Sequence, residues 1–139
     1  MIKTAEEFIR LRTSDIQEEY VRAGKDEAPI TVWLELIEKY PHMRIWVARN
    51  KTIPIEVINI LSKDEDSLVR DSIASKYPLS REIYLMLSKD KDESVRGRLI
   101  YNKKLPLDIL KDLSERDPSE FVRNQATEKY QQVIDYKQE

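Results

Sequence analysis

Hydrophobic and polar residues repeat along this chain with a period of 26 residues. Each unit contains a leucine, an acidic turn and a Val-Arg pair. After the turn, apolar residues four apart, such as Val95 and Leu99, share one helical face. This spacing predicts a second helix in each unit. The units read LSKDEDSLVR at 61–70, LSKDKDESVR at 87–96 and LSERDPSEFVR at 113–123, after a divergent copy, LIEKYPHMR, at 36–44.

A first helix is predicted upstream of each acidic turn, because a proline is followed by apolar residues at helical spacing. Ile55 and Leu61 in one unit, and Leu85 in the next, belong to these apolar faces. Earlier in the chain, prolines predict helices at about 30–40 and 42–50. The prolines taken as helix starts are Pro29, Pro41, Pro54, Pro78 and Pro106.

Two more helices are predicted near the amino terminus. Thr4 precedes a glutamate by three residues and Ser14 precedes a glutamine by three, the spacing of a capping box. These signals favour helices at about 5–12 and 15–23, the second ended by Gly24. Strand-like alternation is missing and glycine is scarce, so the predicted fold class is all-α.

The repeated core resembles the HEAT-like and leucine-rich-repeat-variant families of bacterial α-solenoids, because it combines proline-led first helices, aspartate-rich turns and Val-Arg at the second helix. WVARNKTIP at 46–54 and TAEEFIRLR at 4–12 strengthen the resemblance. It implies a short right-handed α-solenoid of about four two-helix repeats with an N-terminal helical cap. The expected single domain, 1–139, divides into cap helices at 1–28, repeats at 29–130 and a polar tail at 131–139.

The composition limits which kinds of chemical site this chain can form. The chain has 139 residues, of which 36% are charged, with a net charge of −2 and no cysteine. Disulfides, thiolate metal sites and the cysteine-ligated iron–sulfur cluster of some leucine-rich-repeat-variant proteins are therefore excluded. A cytoplasmic protein is expected, because the chain opens without a signal peptide and has no membrane-spanning run.

No catalytic motif is apparent in the sequence. His42 is the only histidine, and Gly24 and Gly97 are too few for a phosphate-binding loop. The acidic pairs fall in turns, where carboxylates cap helices, rather than in a predicted pocket. The sequence therefore predicts no enzyme, no metal and no cofactor.

An arginine ladder is the most regular polar feature. One interpretation is structural, since a guanidinium can bond turn carbonyls or an aspartate of the neighbouring repeat. The other is a row of cations that binds phosphate or carboxylate. The structural interpretation assigns inter-repeat contacts to Arg44, Arg70, Arg96, Arg123, Asp64, Asp90 and Asp117.

The second helices are locally basic, and two of them carry aromatic residues. Trp, Tyr and Arg dominate protein-interface hot spots. The predicted partner-binding residues are Trp46, Arg49, Arg98 and Tyr101. For Trp46 the alternative is that it packs against the N-terminal cap helices and serves only the core.

The predicted function is non-catalytic binding of a partner protein through the concave face of the second helices. A more specific version is an immunity or inhibitor protein that neutralises a toxin. Nucleic-acid binding through a basic groove is the alternative from another class, although the net acidity counts against it. The partner's identity and the oligomeric state stay open.

Overall fold

The computed structural model describes residues 1–138, and this part of the chain is helical without any β-strand. The predicted all-α fold class is confirmed. A short 3-10 turn, Pro41–Met43, runs directly into the fourth α-helix. The α-helices are α1 (Ala5–Arg12), α2 (Gln17–Lys25), α3 (Ile30–Lys39), α4 (Arg44–Arg49), α5 (Ile55–Leu61), α6 (Ser67–Ala74), α7 (Arg81–Ser88), α8 (Glu93–Ile100), α9 (Leu107–Arg116) and α10 (Glu120–Gln138).

The N-cap residue of α5, α7 and α9 is either a proline or a serine. Pro54 and Pro106 are the N-caps of α5 and α9, as predicted. Pro78 is not a helix start, because α7 begins three residues later. Its N-cap is Ser80, whose Oγ accepts a hydrogen bond from the backbone N–H of Ile83 at 3.2 Å. Ser80 lies 26 residues after Pro54, so a serine cap replaces proline in this repeat.

The amino-terminal helices differ from their prediction in detail. Thr4 caps α1 as expected, accepting a hydrogen bond from the backbone N–H of Glu7 at 3.0 Å. Ser14 does not cap α2, because the N-cap residue of this helix is Ile16. The Ser14 hydroxyl instead donates to Glu19 at 2.8 Å. Gly24 lies inside α2 and does not end it.

Contacts within the chain define two compact units, one spanning Met1–Ile73 and the other beginning at Ala74. In the first unit, α1 packs against α2 and α3. Trp33 is fully buried and meets the ring of Phe8 edge-on, with centroids 5.4 Å apart. This aromatic pair anchors a core that also contains the fully buried Leu11, Leu36, Val47, Val57 and Leu61.

The second unit has its own core, in which α9 packs against α10 and α7 against α8. Val95 and Leu99, predicted to share a face of the second helix, are both fully buried. One cluster of buried residues consists of Ile100, Leu110, Leu113, Val122 and Ala126, with Leu105, Leu107 and Tyr130 packed against it.

Two predicted core residues lie on the surface instead. Ile55 is 55% exposed because it is the first residue of its helix, while Val57 and Leu61, four apart, form the buried face. Leu85 is 40% exposed, because a residue two positions from the buried Ile83 points about 200° around the helix.

Helix α10 continues through the segment predicted as a polar tail, which is helical as far as residue 138. The last position of that predicted tail lies outside the described residues. Across residues 1–138, no helix has both the length and the apolar character needed to cross a membrane.

Candidate functional site

The acidic turns between paired helices share one hydrogen-bond pattern. In three of them an aspartate Oδ1 accepts a hydrogen bond from the backbone N–H two residues later, at 2.9 Å, which makes an Asx turn. The carbonyl of that aspartate accepts another from the arginine six residues later. These bonds measure 2.8 Å from Arg70 to Asp64, 2.7 Å from Arg96 to Asp90 and 2.6 Å from Arg123 to Asp117.

Two of the arginines, Arg44 and Arg96, also reach the acidic turn of the following repeat. Arg96 and Asp117, both buried, form a bidentate pair, with Nε–Oδ2 at 2.8 Å and Nη2–Oδ1 at 3.2 Å. The Nε of Arg44 donates to the carbonyl of Ile37 at 2.7 Å, and its Nη1 lies 3.5 Å from Oδ2 of Asp64. These are the contacts that the structural interpretation of the arginine ladder requires.

A buried asparagine holds the loop after α4 onto the end of α2. The Nδ2 of Asn50 donates to the carbonyls of Ala23 at 2.8 Å and Asp26 at 3.0 Å. Its Oδ1 accepts from the backbone N–H of Thr52 at 2.8 Å. The backbone N–H of Lys51 adds a bond to the Gly24 carbonyl at 2.9 Å. The carbonyls of Ala23 and Gly24, which have no partner within α2, are thereby satisfied.

Asn102 repeats this arrangement in the second unit, two periods later. It donates to the carbonyls of Ala74 at 2.8 Å and Lys76 at 2.5 Å. Its Oδ1 accepts from the hydroxyl of Tyr84 at 2.8 Å and from the backbone N–H of Lys104 at 3.0 Å. Burial raises the pKa of Tyr84 and lowers the pKa of Lys76 to about 8.

The loop held by Asn50 borders an open cleft of about 310 Å³ in the first unit, here called the Trp46 cleft. Trp46, from α4, is half-buried. The guanidinium carbon of Arg12, at the end of α1, lies 3.4 Å above its ring centroid, which is stacking distance. The guanidinium carbon of Arg49 lies 5.0 Å from the same centroid. Two cations therefore lie over one indole ring.

All of the charged side chains that line the Trp46 cleft are positive. Besides Arg12 and Arg49, it contains the exposed ammonium groups of Lys25 and Lys51. None of these four side chains makes an ion pair within residues 1–138, whereas Arg10, Arg22 and Arg44 in the same unit all do. The Nε of Arg12 is buried with no hydrogen-bond partner in the described part of the chain.

The rest of the cleft lining is largely apolar and comes from α2. Ala23 is buried, Val21 is half-buried, and Tyr20 is 42% exposed. Apolar surface therefore lies beside exposed cations. Such a cleft can bind a group that is both anionic and partly apolar.

The structure divides the four predicted partner-binding residues between the two units. Trp46 and Arg49 line the Trp46 cleft, where Trp46 also contacts the first N-terminal helix through Arg12. Arg98 and Tyr101 belong to the second unit, and both are exposed. The hydroxyl of Tyr101 donates a hydrogen bond to Gln125 of α10.

Sequence reasoning missed three of the four cations that line the cleft. Lys25 and Lys51 are 26 residues apart, so the repeat period, extended upstream into α2, could have found them. Arg12 carried no comparable signal, because it lies outside the repeats and reaches Trp46 only through the packing of α1.

No known protein family, curated protein or solved structure matches this chain. The resemblance to HEAT-like and leucine-rich-repeat-variant proteins therefore stays a prediction.

Proposed function

We propose that this protein is a non-catalytic binding module that recognises a partner protein through the Trp46 cleft. The observation that carries the proposal is the set of four cations without ion-pair partners around a half-exposed indole. What distinguishes these cations is that all four border one cleft, whose described lining contains no carboxylate. Such a cluster, next to an indole and apolar surface, is composed like an interface hot spot.

Helices α2 and α4 supply most of the lining of the cleft, and each is the second helix of a pair. Only α4 lies among the predicted repeats, because α2 falls in the predicted N-terminal cap. Binding through second helices is part of the proposal. The right-handed α-solenoid with HEAT-like repeats is also proposed, supported by the repeated turn contacts of Asp64, Asp90 and Asp117 and by the buried Asn50 and Asn102, which lie two periods apart.

The lining supports binding rather than catalysis. Among the described residues that border the cleft there is no carboxylate, histidine, serine or threonine. Acid, base and nucleophile in most hydrolytic sites come from these side chains. The lining offers instead charge and apolar area, which are the means of recognition.

A protein partner fits the cleft better than a nucleic acid does. Residues 1–73 carry more carboxylates than cations, so a long phosphate backbone would leave the cleft onto acidic surface. A nucleobase that stacked on the face of Trp46 covered by Arg12 would have to displace this arginine. A compact acidic surface of a protein meets neither obstacle.

The test is a native pull-down from the protein's own cells, divided into nuclease-treated and untreated halves. We expect a stoichiometric protein that survives nuclease, is lost with Trp46→Ala or Lys51→Glu, and is retained by Lys63→Glu. Lys63 is an exposed loop lysine of the same unit outside the cleft, so it matches the charge change. Recovery of nucleic acid alone, or of a protein that all variants retain, would refute the proposal.

A further inference from the structure

We infer that the occupant of the Trp46 cleft is an acidic peptide segment of the partner, in which Asp or Glu carboxylates bind the guanidinium of Arg12. This inference rests on the proposed function and names the chemistry of its ligand. Arg12 is the residue that decides it, because its guanidinium carbon lies 3.4 Å from the ring centroid of Trp46, which is stacking distance.

Stacking prepares Arg12 for a carboxylate. A guanidinium that lies flat on an aromatic ring keeps its N–H groups in the plane, at the edge, where a carboxylate can bind with two parallel hydrogen bonds. No internal carboxylate or carbonyl occupies this edge within residues 1–138, and Nε lacks any acceptor. Because Nε is itself buried, a ligand carboxylate would bind the two Nη groups of the guanidinium, which can donate two parallel hydrogen bonds.

The remaining cations call for more than one carboxylate. Lys25, Arg49 and Lys51 are exposed around the half-buried Trp46, and none is neutralised by the described residues. A single chain-terminal carboxylate would leave most of this charge unmatched. Several acidic side chains along one segment would match it.

The apolar part of the lining favours a peptide over other polyanions. Val21, Ala23 and the ring of Tyr20 lie beside the cations. In an extended peptide, successive side chains face opposite directions, and a short turn of helix can also bring an acidic and an apolar side chain together. In an extended segment, a leucine or valine two residues from a glutamate shares its face, so it can cover the apolar surface while the glutamate reaches Arg12.

The test measures binding of synthetic peptides to the full-length protein by isothermal titration calorimetry. The probe is a nonapeptide with Glu at its first, fifth and ninth positions, Leu at its third and seventh and Ser elsewhere, so that Glu and Leu share one face when it is extended. It is acetylated and amidated so that only side chains carry charge. Its counterpart has Gln in place of Glu, and a third version has a free carboxyl terminus. An oligothymidylate of equal charge tests the phosphate alternative.

We expect the Glu peptide to bind at least about tenfold more tightly than the Gln peptide, since a neutral amide has one acceptor oxygen and no charge to offer the guanidinium. The free carboxyl terminus should change the affinity little. Arg12→Lys should weaken the Glu peptide by about tenfold or more, because lysine keeps the charge but loses the planar fork. The matched control Arg10→Lys changes an exposed arginine of the same helix outside the cleft and should leave binding unchanged.

Fluorescence gives a second readout that does not depend on Arg12 variants. The protein has two tryptophans, and only Trp46 borders the cleft, since Trp33 is fully buried. The Glu peptide should shift the wild-type emission, and this shift should be lost in Trp46→Phe. Equal binding of Glu and Gln peptides, binding of the oligothymidylate alone, or wild-type affinity in Arg12→Lys would overturn the inference.

These outcomes separate the inference from the proposed function. If a partner is captured through the cleft but the Glu peptide does not bind, the partner is not recognised by its carboxylates and only the inference fails. If capture is indifferent to Trp46→Ala and Lys51→Glu, the proposed function fails whatever the peptides do.

Discussion

Replacing Asn102 by alanine removes every hydrogen bond that a side-chain amide can make. Its two donors bond two carbonyls and its oxygen accepts two bonds, so the capacity of the group is filled. Asn50 has the same arrangement, with Thr52 supplying both hydrogens to its oxygen. Both residues are buried, so water cannot replace the lost partners.

The magnitude follows from those four bonds. A typical intramolecular hydrogen bond contributes about 1 kcal/mol net, and the partners left unsatisfied add to the loss. Partial relaxation of the loops returns some of this free energy. We therefore expect Asn102→Ala and Asn50→Ala each to lower the free energy of unfolding by about 2–4 kcal/mol.

The assay is urea unfolding followed by two signals. Trp33 and Trp46 both lie in the first unit, so tryptophan fluorescence follows that unit, whereas far-ultraviolet circular dichroism follows all helices. Asn50→Ala should lower the midpoint seen by fluorescence, and Asn102→Ala should lower the midpoint seen by dichroism. The control is Asn59→Ala, an exposed asparagine inside α5, which should change stability by less than about 0.5 kcal/mol. If all three variants were equally stable, the buried Asn50 and Asn102 would contribute no stability and our reasoning would be wrong.

Three further predictions concern the second unit. Asp117→Asn should lower the free energy of unfolding by about 3–5 kcal/mol, since it leaves the Arg96 charge buried and unpaired; in urea unfolding, a loss no larger than that of the exposed Asp108→Asn would contradict this. Gly97→Ala should raise the free energy of unfolding by up to about 1 kcal/mol in the same assay, because an added Cβ meets open space within α8. A lower midpoint would refute this. Burial lowers the pKa of Lys76 to about 8 from 10.5, so the unfolded state binds more protons between those values and the free energy of unfolding should rise with pH there. Unfolding curves at several pH values test this, and an unchanged slope in Lys76→Met would contradict it.

Helix positions could be predicted because their signals are local. Thr4 and Pro54 mark helix starts through caps that involve only neighbouring residues, and Val95 and Leu99 reveal a buried face by their spacing. Prediction failed where two local signals competed. Pro78 resembles a helix start, but Ser80 provides the hydrogen bond that begins α7.

The sequence by itself determined the helical class, the 26-residue period and the turn chemistry, because backbone hydrogen bonds and caps form between residues close in the chain. Only the tertiary structure decided the candidate site. Arg12 and Trp46 lie 34 positions apart, and they stack only because α1 packs against its neighbours in the first unit. The same packing leaves Lys25 and Lys51 without carboxylates. Contacts of this kind depend on how helices pack in three dimensions, which no local pattern encodes.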